Sequence, residues 1–476
     1  MNVEELYGRY CDCGCRVTTD SRAIKGGEMF FALKGEKFDG NDYVLSSLEA
    51  GASYAVADRE DLPDDERIIK VGDAYCALRD LAVWHRTHIH GGNLPVIGLT
   101  GTNGKTTTKN LVSLVLARKY KVAATQGNFN NDIGVPLSLL GMRPDTEIAV
   151  IEMGANHPDD IAKLVKVCQP DYGLITNVGK AHLLGFGSIE GVVAAKTELY
   201  KWLGSRKGSV IFLNEDDSVL KAKAAVQPCH CFGYGLEYQG ASILPSSAEE
   251  PFLRLMLDGT VISTRLIGAY NAANVLAAIA VGDYFGIPRE ESIAAVESFV
   301  PDNERSEMRR TQKNALIVDA YNANPTSMAA ALDNFERMLG GGEGRPGLAP
   351  QCRDDLFHLS AARALDQYQT PLHAMSPQVF QKGLRSRSPD ERTVPFPGAR
   401  VLSRDFPFFI HDLVFESALI KGFKELLSDK HDAGNVPGGE EPAQQAGVLP
   451  KGVRPELAHL SEKRGEESIA AVESFV

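Results

Sequence analysis

From residue 94 onward, short apolar runs alternate with longer segments whose apolar residues recur every three or four positions. The runs include "PVIGLT", "EIAVIEMG", "YGLITNV" and "SVIFLN", and the segments between them include "KTTTKNLVSLVLARKY" and "IEGVVAAKTELYKWL". Continuous apolar runs of this length are typical of strands covered on both faces, and the longer spacing is typical of helices with one buried face. The alternation predicts βαβ units and a largely parallel sheet.

The chain on either side of this region has other patterns. Residues 1–92 mix apolar runs such as "EMFFAL" with turn-rich stretches such as "KGEKFDGNDY", which predicts a small mixed α/β domain, followed by a linker at "HIHGGN". Two β-rich runs, "FLRLMLDG" and "TVISTRLIG", precede a predicted helix at 271–285, and the strand "ALIVDA" belongs to a further domain that begins near 303. We therefore expect three domains, at 1–92, 93–302 and 303–476.

The pattern changes after residue 339. The stretch from 340 is rich in glycine and proline, and the following hundred residues show no sustained alternation of strands and helices. The segment "EESIAAVESFV" at 290–300 is repeated without change at 466–476. Structural repeats recur at a fixed period and diverge, so we interpret the second copy as a sequence-assembly artefact rather than a module.

Composition limits the classes of partner. The 476 residues are 43% hydrophobic and carry a formal net charge of -12, so we expect a well-buried core and no basic footprint for nucleic acid or an anionic membrane. No window approaches ~20 uninterrupted apolar residues, which favours a soluble cytoplasmic protein. The eight cysteines include "CDCGC", which lacks a second ligand pair at zinc-site spacing, and free thiols are the favoured interpretation.

The strand "PVIGLT" leads into "GLTGTNGKTTT", which departs from the usual phosphate-loop spacing because five residues separate Gly98 from Gly104. A phosphate-binding loop needs backbone N–H groups without Cβ obstruction, a helix N-terminus behind them and a lysine that reaches the outer phosphates. Gly101, Asn103 and Gly104 can form that nest, Lys105 can supply the cation and Thr106 a hydroxyl for Mg²⁺. The stretch therefore predicts a nucleotide site.

Three further residues are candidates for the same site. Glu152 ends the strand "IAVIE", at the sheet edge where ligands of parallel sheets collect, and it is a natural Mg²⁺ ligand. His182 also follows a strand, but a single histidine there is more often a capped loop residue than a ligand. Lys196 lies within a predicted helix, where a lysine is ordinarily solvated.

Several motifs together resemble those of the Mur ligases. They are "GLTGTNGKTTT", "TQGNFNNDIGVPLSLL", "EMGANHPDDIAKL", "TNVGKAHLLGFGSIEGVVAAKTELY", "LIGAYNAANVLAA" and "VDAYNANPTSMAAAL", in that order. The stretch "TDSRAIKGGEMFFALKGEKFDGNDYV" is similar to the family's UDP-binding domain. The resemblance covers residues 1 to about 339. It implies an α/β architecture with a small UDP-binding domain, a central P-loop parallel-sheet ATPase domain and a Rossmann-like third domain, which is atypical here after 340.

The resemblance also implies the chemistry. Mur ligases form amides at the expense of ATP, with Mg²⁺, through an acyl phosphate on a peptide carboxylate. The string "YNANP" at 321–325 is typical of the family member whose substrates are UDP-N-acetylmuramoyl-tripeptide and D-alanyl-D-alanine. We therefore expect an ADP-forming ligase of peptidoglycan synthesis that works as a monomer without nucleic acid or membrane.

The family's functional residues match positions in every part of the resemblance. The expected ATP contacts are Thr100, Gly101, Thr102, Asn103, Gly104, Lys105, Thr106, Thr107, Asn271, Asn274, Arg305 and Asp319, with Tyr270 where the family has a histidine. The expected metal ligands are Thr106 and Glu152 for one Mg²⁺ and His182 for a second, with Lys196 as a carbamate; Lys105, Glu152, His182 and Lys196 are the catalytic set. The expected substrate contacts are Ser21, Arg22, Asp39, Gly40 and Asn41 for the UDP-sugar, Asn128, Asn130 and Asn131 for the muramoyl peptide, and Tyr321, Asn322 and Asn324.

Other functions remain open at this stage. One is a related ligase that adds another amino acid; a folate polyglutamate ligase is disfavoured by the UDP-type first domain. Another is a non-catalytic binder of ATP and UDP-sugar, because the family's "LGDM" stretch is missing and its "KGS" loop is echoed only by "ALIKGF" at 418–423. A P-loop motor or switch is the least favoured alternative, since no switch segment is present.

Overall fold

The computed structural model describes residues 1–35, 37–247, 250–301, 307–310, 315–318, 327, 329–331, 333–334 and 408–410. The chain divides into two units, Met1–Val414 and Phe415–Val476, and every described residue belongs to the first. No helix within the described part is long and apolar enough to span a membrane.

The N-terminal part is a four-stranded parallel sheet with helices against it, as the mixed pattern predicts. Its first helix begins with a capping box, in which the Asn2 side chain accepts from Glu5 N (2.8 Å) and the Glu5 carboxylate accepts from Asn2 N (3.0 Å). The strands pair in chain order. The elements are α1 (Val3–Asp12), β1 (Val17–Thr18), β2 (Met29–Phe31), α2 (Val44–Glu49), β3 (Tyr54–Ala57), β4 (Ile68–Lys70) and α3 (Ala74–His88).

Helix α3 joins this sheet to the rest of the molecule. Buried His85 lies within hydrogen-bond distance of Tyr7 (OH to Nδ1, 3.1 Å) and of the Met142 carbonyl (Nε2 to O, 3.2 Å). The Tyr10 hydroxyl donates to Leu140 O at 2.7 Å. The predicted linker after α3 is a short helical turn, Ile89–Gly92, whose first side chain is buried. The two parts are therefore joined by buried polar contacts as well as by the chain.

The central part is a six-stranded, all-parallel sheet, as the alternation predicts. Its order is β10-β9-β8-β5-β7-β6, so the connections run to opposite sides from the neighbouring strands β5 and β8. A crevice opens at the carboxyl ends of such neighbours and is where ligands of open α/β sheets bind. The strands are β5 (Val96–Thr100), β6 (Val122–Ala124), β7 (Ile148–Glu152), β8 (Tyr172–Ile175), β9 (Val210–Asn214) and β10 (His230–Tyr234).

Helices cover this sheet. Helix α11, "AANVLAAIAVGDY", is apolar over most of its surface because it is buried on nearly every side, and it packs against α4. The helices are α4 (Lys105–Leu116), α5 (Gly134–Leu140), α6 (Asp160–Cys168), α7 (Leu183–Phe186), α8 (Ile189–Lys196), α9 (Glu198–Gly204), α10 (Ser218–Ala225), α11 (Ala272–Tyr284) and α12 (Arg289–Ser298).

Two smaller sheets complete the described part. An antiparallel sheet contains β11 (Ser242–Leu244), β12 (Phe252–Leu257) and β13 (Thr260–Ile267), and the two residues between β12 and β13, Asp258 and Gly259, both have positive φ, as a tight hairpin requires. The other contains β14 (Glu307–Arg310), β15 (Ala315–Val318) and β16 (Phe408–Ile410). The strand predicted at "ALIVDA" is confirmed as β15. The seven described cysteines form no disulfide with one another.

Candidate functional site

The loop between β5 and α4 has the backbone that the glycine pattern predicts. Gly101 (φ +153°) and Gly104 (φ +77°) lie in the region that L side chains rarely adopt. A Cβ on Gly101 would overlap Thr176 Oγ1, and one on Gly104 would lie 2.6 Å from Asn274 Oδ1. Both positions therefore require glycine for reasons of space as well as of backbone conformation.

The segment after β8 holds this loop in place. Asn177 accepts from Thr102 N through its carbonyl (3.0 Å) and from Asn103 N through its side chain (3.0 Å). The hydroxyl of Thr176 donates to Asn103 O at 2.6 Å. The loop is thus fixed by a neighbouring strand, and the N–H groups of the first turn of α4 have no acceptor within the helix itself. That turn presents the positive end of the helix dipole, which favours an anion.

Lys105 folds back over the loop. Its Nζ donates to Gly101 O at 2.8 Å and to Thr102 O at 3.0 Å. The ammonium therefore lies over the loop backbone, where it would neutralise charge on a phosphate bound by the loop. Thr100, at the base of the loop, is fully buried, and its hydroxyl has no hydrogen-bond partner among the described residues. Thr107 is partly buried in the first turns of α4.

Thr106 and Glu152 form the buried polar centre of the site. The Thr106 hydroxyl donates to Oε2 of Glu152 at 2.9 Å, and the carboxylate is only 1% exposed. Asn130 Nδ2 donates to Glu152 Oε1 at 2.8 Å. Asn130, one of the residues predicted to contact the muramoyl peptide, thus lies directly beside Glu152, a predicted metal ligand. Asn128 and Asn131 are exposed in the same segment, where Asn131 Oδ1 accepts from the N–H of Gly134 at the start of α5.

Lys196 and His182 face the same region. Lys196 is 1% exposed, so its interpretation as a solvated lysine is wrong. Burial, together with the charge of Lys105, lowers the pKa of Lys196 well below its usual value, while Asp160 opposes that shift. Burial, with Lys105 and Lys196, lowers the pKa of His182 to about 4. The charge of Lys105 thus lowers the pKa of both Lys196 and His182.

His182 also has a strained backbone, with a φ of +52°. Non-glycine residues in this region occur where the surroundings impose the conformation, often at functional sites. No group of three or more His, Cys, Asp and Glu side chains able to hold a metal is found in the part of the chain that the structure describes. A metal here would depend on Thr106 and Glu152, on His182, and on oxygen atoms supplied by ligands and water.

Asn271 and Asn274 support the loop from below. Asn274 donates through Nδ2 to Asn271 Oδ1 (2.9 Å) and accepts from the Thr108 hydroxyl (3.0 Å). Asn271 also donates to Ile267 O at 2.8 Å, and both side chains are buried. In this conformation the pair connects α11 to α4 beneath Gly104. Tyr270, which stands where the family has histidine, is 36% exposed.

The N-terminal candidates divide into exposed and buried residues. Arg22 is exposed and makes a bidentate ion pair with Asp20, in the turn that also holds Ser21. Asn41 is 1% exposed, and its amide donates to Asp39 (2.7 Å) and to Asp58 (2.8 Å).

Its oxygen accepts from Asp58 N at 3.1 Å, so the Asn41 side chain is fully used within the protein. A Cβ at Gly40 would lie 2.5 Å from Leu33 O, which explains the glycine there. The predicted residues Arg305, Asp319, Tyr321, Asn322 and Asn324 lie outside the described residues.

Two residues at this site were not predicted from the sequence. Asn177 holds the phosphate loop, and its position two residues after the parallel strand β8 was the signal that could have identified it. Thr125 follows β6 in the same way, is 1% exposed, and accepts from Glu152 N through its hydroxyl at 3.0 Å. Both act on the backbone of residues already predicted.

Comparisons with known proteins agree with this geometry. The family described as "Mur ligase middle domain" matches residues 99–282, and "Mur ligase family, catalytic domain" matches 16–86. The UDP-N-acetylmuramoyl-tripeptide–D-alanyl-D-alanine ligase of Bacillus subtilis is 36% identical over 330 residues, which cover 69% of this chain and 71% of that protein. The Escherichia coli protein of the same name is 33% identical, with 68% and 72% covered.

Solved structures show the same relationship. MurF from Acinetobacter baumannii superposes with a TM-score of 0.59 at 32% identity, over 67% of this chain and 70% of that one. MurF from Thermotoga maritima in complex with ADP has a TM-score of 0.59 at 27% identity, over 74% and 82%. The fold, the phosphate loop and these matches together place the chain in the Mur ligase family.

Proposed function

We propose that the protein is an ATP-dependent, ADP-forming ligase that joins D-alanyl-D-alanine to UDP-N-acetylmuramoyl-tripeptide in peptidoglycan precursor synthesis. The observation that carries the proposal is the buried Thr106–Glu152 pair beside Lys105, at the crevice of the central sheet. A relative that carries this name is 36% identical to the chain. When bound, Mg²⁺-ATP supplies the phosphoryl group that activates the peptide carboxylate, and the dipeptide amine then displaces phosphate.

The residues present fit a magnesium nucleotide. The nest at Gly101 and Gly104 has no room for a Cβ, and the first turn of α4 offers N–H groups to an anion. Glu152 is an oxygen ligand suited to Mg²⁺, and Thr106 already contacts it. Lys105 is placed to neutralise charge on a transferred phosphoryl group, where positioning and electrostatics dominate catalysis. Thr102, Asn103 and Thr107 complete the loop around the phosphates.

Lys196 is suited to carry a carbamate. Its lowered pKa favours the neutral amine, which can add to CO₂ and release a proton. The structure shows no hydrogen bond or ion pair to Lys196 among the described residues, although the side chain is buried. A buried ammonium without a partner is costly, whereas a carbamate would be an anionic oxygen ligand beside Lys105. We assign His182 and this carbamate to a second Mg²⁺ near the acceptor carboxylate.

The UDP-sugar would bind to the N-terminal sheet. Ser21 and Arg22 are accessible there and suited to contact the diphosphate or sugar, with Arg22 exchanging its ion pair to Asp20 for the ligand. Asp39, Gly40 and Asn41 shape the surface, with Asn41 as a positioning residue because its amide is already satisfied. Domain boundaries at 1–92, 93–302 and 303–476 fit this division of binding sites. We further propose that the protein acts in the cytoplasm as a monomer, without nucleic acid.

A second candidate is a binder of ATP and UDP-sugar without ligase activity. It is favoured by the sequence after residue 339, where the family's "LGDM" and "KGS" strings are missing. A third domain that cannot close over ATP would lose positioning of the reactants, and positioning contributes several kcal/mol to such reactions. Nucleotide binding would persist in that case.

One experiment separates the two candidates. Phosphate release from ATP is measured with UDP-muramoyl-tripeptide, in its lysine and diaminopimelate forms, with and without D-alanyl-D-alanine. Release that depends on the dipeptide, together with a ligated product by mass spectrometry, supports the ligase; tight ATP binding without release supports the binder. Lys105→Ala should abolish release and weaken ATP binding. Lys119→Ala is the control, because this exposed lysine lies beyond the end of α4, donates to the carbonyls of Phe285 and Gly286, and lies over the Tyr120 ring.

A further inference from the structure

A second lysine of α4 is buried close to the site. Lys109 follows Lys105 by one helical turn and is 4% exposed, which is unusual for a lysine. Its Nζ donates to Thr125 O at 2.6 Å. A buried ammonium is tolerated only where hydrogen bonds compensate for lost water, so this contact fixes the position of the Thr125 carbonyl.

Thr125 is tied to β7 as well as to α4. Its N–H donates to Val150 O at 3.1 Å, and its hydroxyl accepts from Glu152 N at 3.0 Å. The residue lies at the end of β6 and is 1% exposed. Lys109 therefore acts on the same residue that holds the backbone of Glu152.

These contacts close a ring around the predicted metal ligands. Thr106 donates to the Glu152 carboxylate, the Glu152 N–H donates to Thr125, and Lys109 donates to Thr125 from the helix that carries Thr106. Positions three apart on a helix share a face, so Lys109 and Thr106 lie on the side of α4 that faces the end of β7. The separation of the Thr106 hydroxyl from the Glu152 carboxylate is thus set from both sides.

Thr125 also determines where the segment that contains Asn128, Asn130 and Asn131 leaves the sheet. Four residues separate Thr125 from Asn130, whose Nδ2 donates to Glu152 Oε1 at 2.8 Å. Asn130 O also accepts from Gly154 N at 2.7 Å, just beyond β7. A shift of the Thr125 carbonyl would therefore move the Glu152 backbone and the start of this segment together.

We propose that Lys109 is a positioning residue that couples the phosphate-loop helix to the Glu152 metal ligand through Thr125. The inference rests on the proposed function, because it assumes that Thr106 and Glu152 bind Mg²⁺ with the nucleotide. Through Thr125, its ammonium keeps the two oxygen ligands on α4 and β7 at the separation that one metal ion needs. Partners of this kind contribute about 10- to 100-fold to metal affinity in proteins.

The test uses the full chain and ADP. The dissociation constant of ADP is measured by calorimetry with excess Mg²⁺ and again with EDTA. The constant in EDTA divided by the constant in Mg²⁺ reports how much the metal adds to ADP affinity. Lys109→Met keeps the apolar stem and removes the ammonium. We expect the ratio to fall by about tenfold, the lower end of the range for residues that orient metal ligands, while ADP affinity in EDTA is nearly unchanged.

Two further variants keep the test decisive. Thr125→Val removes the hydroxyl that accepts from Glu152 N and should lower the ratio as Lys109→Met does, so it carries the test if the lysine variant does not fold. Lys119→Met removes another lysine-to-carbonyl bond, from Nζ to Phe285 O at 2.9 Å, and should leave the ratio unchanged.

A wild-type ratio in the folded Lys109→Met variant would overturn the coupling, as would an equal loss of ADP affinity with and without Mg²⁺. If Lys109→Met does not fold, an unchanged ratio in Thr125→Val overturns it. A wild-type protein whose ADP affinity is the same with Mg²⁺ and with EDTA would instead overturn the metal site and the proposed function with it.

Discussion

Replacing His85 should remove a pH dependence from the stability of the contact between the N-terminal and central sheets. The imidazole is 3% exposed and lies between the Tyr7 hydroxyl and the Met142 carbonyl. A neutral ring satisfies both partners if Nε2 carries the proton and donates to Met142 O while Nδ1 accepts from Tyr7. Protonation would place an unsolvated charge there and remove the acceptor.

The size of the effect follows from the pKa. Burial, assisted by the charge of Arg143 and opposed by the Met142 carbonyl, lowers the pKa of His85 from 6.5 to about 4. A difference of about 2.5 units corresponds to about 3 kcal/mol, at 1.36 kcal/mol per unit. Because the unfolded chain takes up the proton first, this stability is present above pH 6.5. It declines by up to ~1.4 kcal/mol per unit as the pH falls, and it is lost once the pH has passed through the folded pKa near 4.

The assay is urea unfolding of the wild type and of His85→Gln at intervals between pH 7.5 and 4.5. Glutamine can still donate to Met142 O but does not titrate, so the wild type should lose about 2–3 kcal/mol more than the variant over this range. His88→Gln, at an exposed histidine on the same helix, should match the wild type. Equal slopes for wild type and His85→Gln would refute the reasoning, as would an NMR titration of the His85 ring with a midpoint near 6.5.

Three other substitutions have defined outcomes. Gly101→Ala should destabilise the protein by about 1–3 kcal/mol and abolish the thermal shift produced by ADP, whereas Gly208→Ala, at φ +83° with open space around it, should keep that shift. Asn41→Ala leaves buried polar groups unpaired and should lower the free energy of unfolding by about 1–3 kcal/mol in urea titrations, with weaker UDP binding by calorimetry. Leu276→Ala, at a fully buried position of α11, should cost about 2–5 kcal/mol in the same titrations.

Local patterns were sufficient to predict most elements. The continuous apolar run "PVIGLT" is the buried strand β5, and the two β-rich runs before the predicted helix at 271–285 are strands β12 and β13, because periodicity acts within a few residues. The order of the central strands could not be predicted in this way. It depends on which apolar strands pair across the sheet, and strands with similar composition do not specify their neighbours.

The residues of the candidate site also fall into two groups, those that the local sequence predicts and those whose role depends on contacts distant in the chain. Gly101, Gly104 and Lys105 follow from the physics of one loop. The burial of Lys196 could not be read from its helix, since it depends on the tertiary packing of α8, which contacts α6 as well as its chain neighbours α7 and α9. The structural role of Asn41 depends likewise on Asp58, which follows β3 and is 17 residues away in the chain. Contacts of this kind are non-local, so a single sequence gives no signal for them.

The support of the phosphate loop by α11 has a consequence for synthesis of the protein. Thr108 and Asn274, which hydrogen-bond beneath the loop, are 166 residues apart in the chain. At about 5–20 residues per second, the ribosome needs roughly 8–33 s to make that interval, so the phosphate loop is synthesised well before the α11 residue that supports it. The N-terminal sheet, complete at Lys70, can fold well before then. Nucleotide affinity should therefore be acquired late during translation, in one step, when α11 leaves the ribosome.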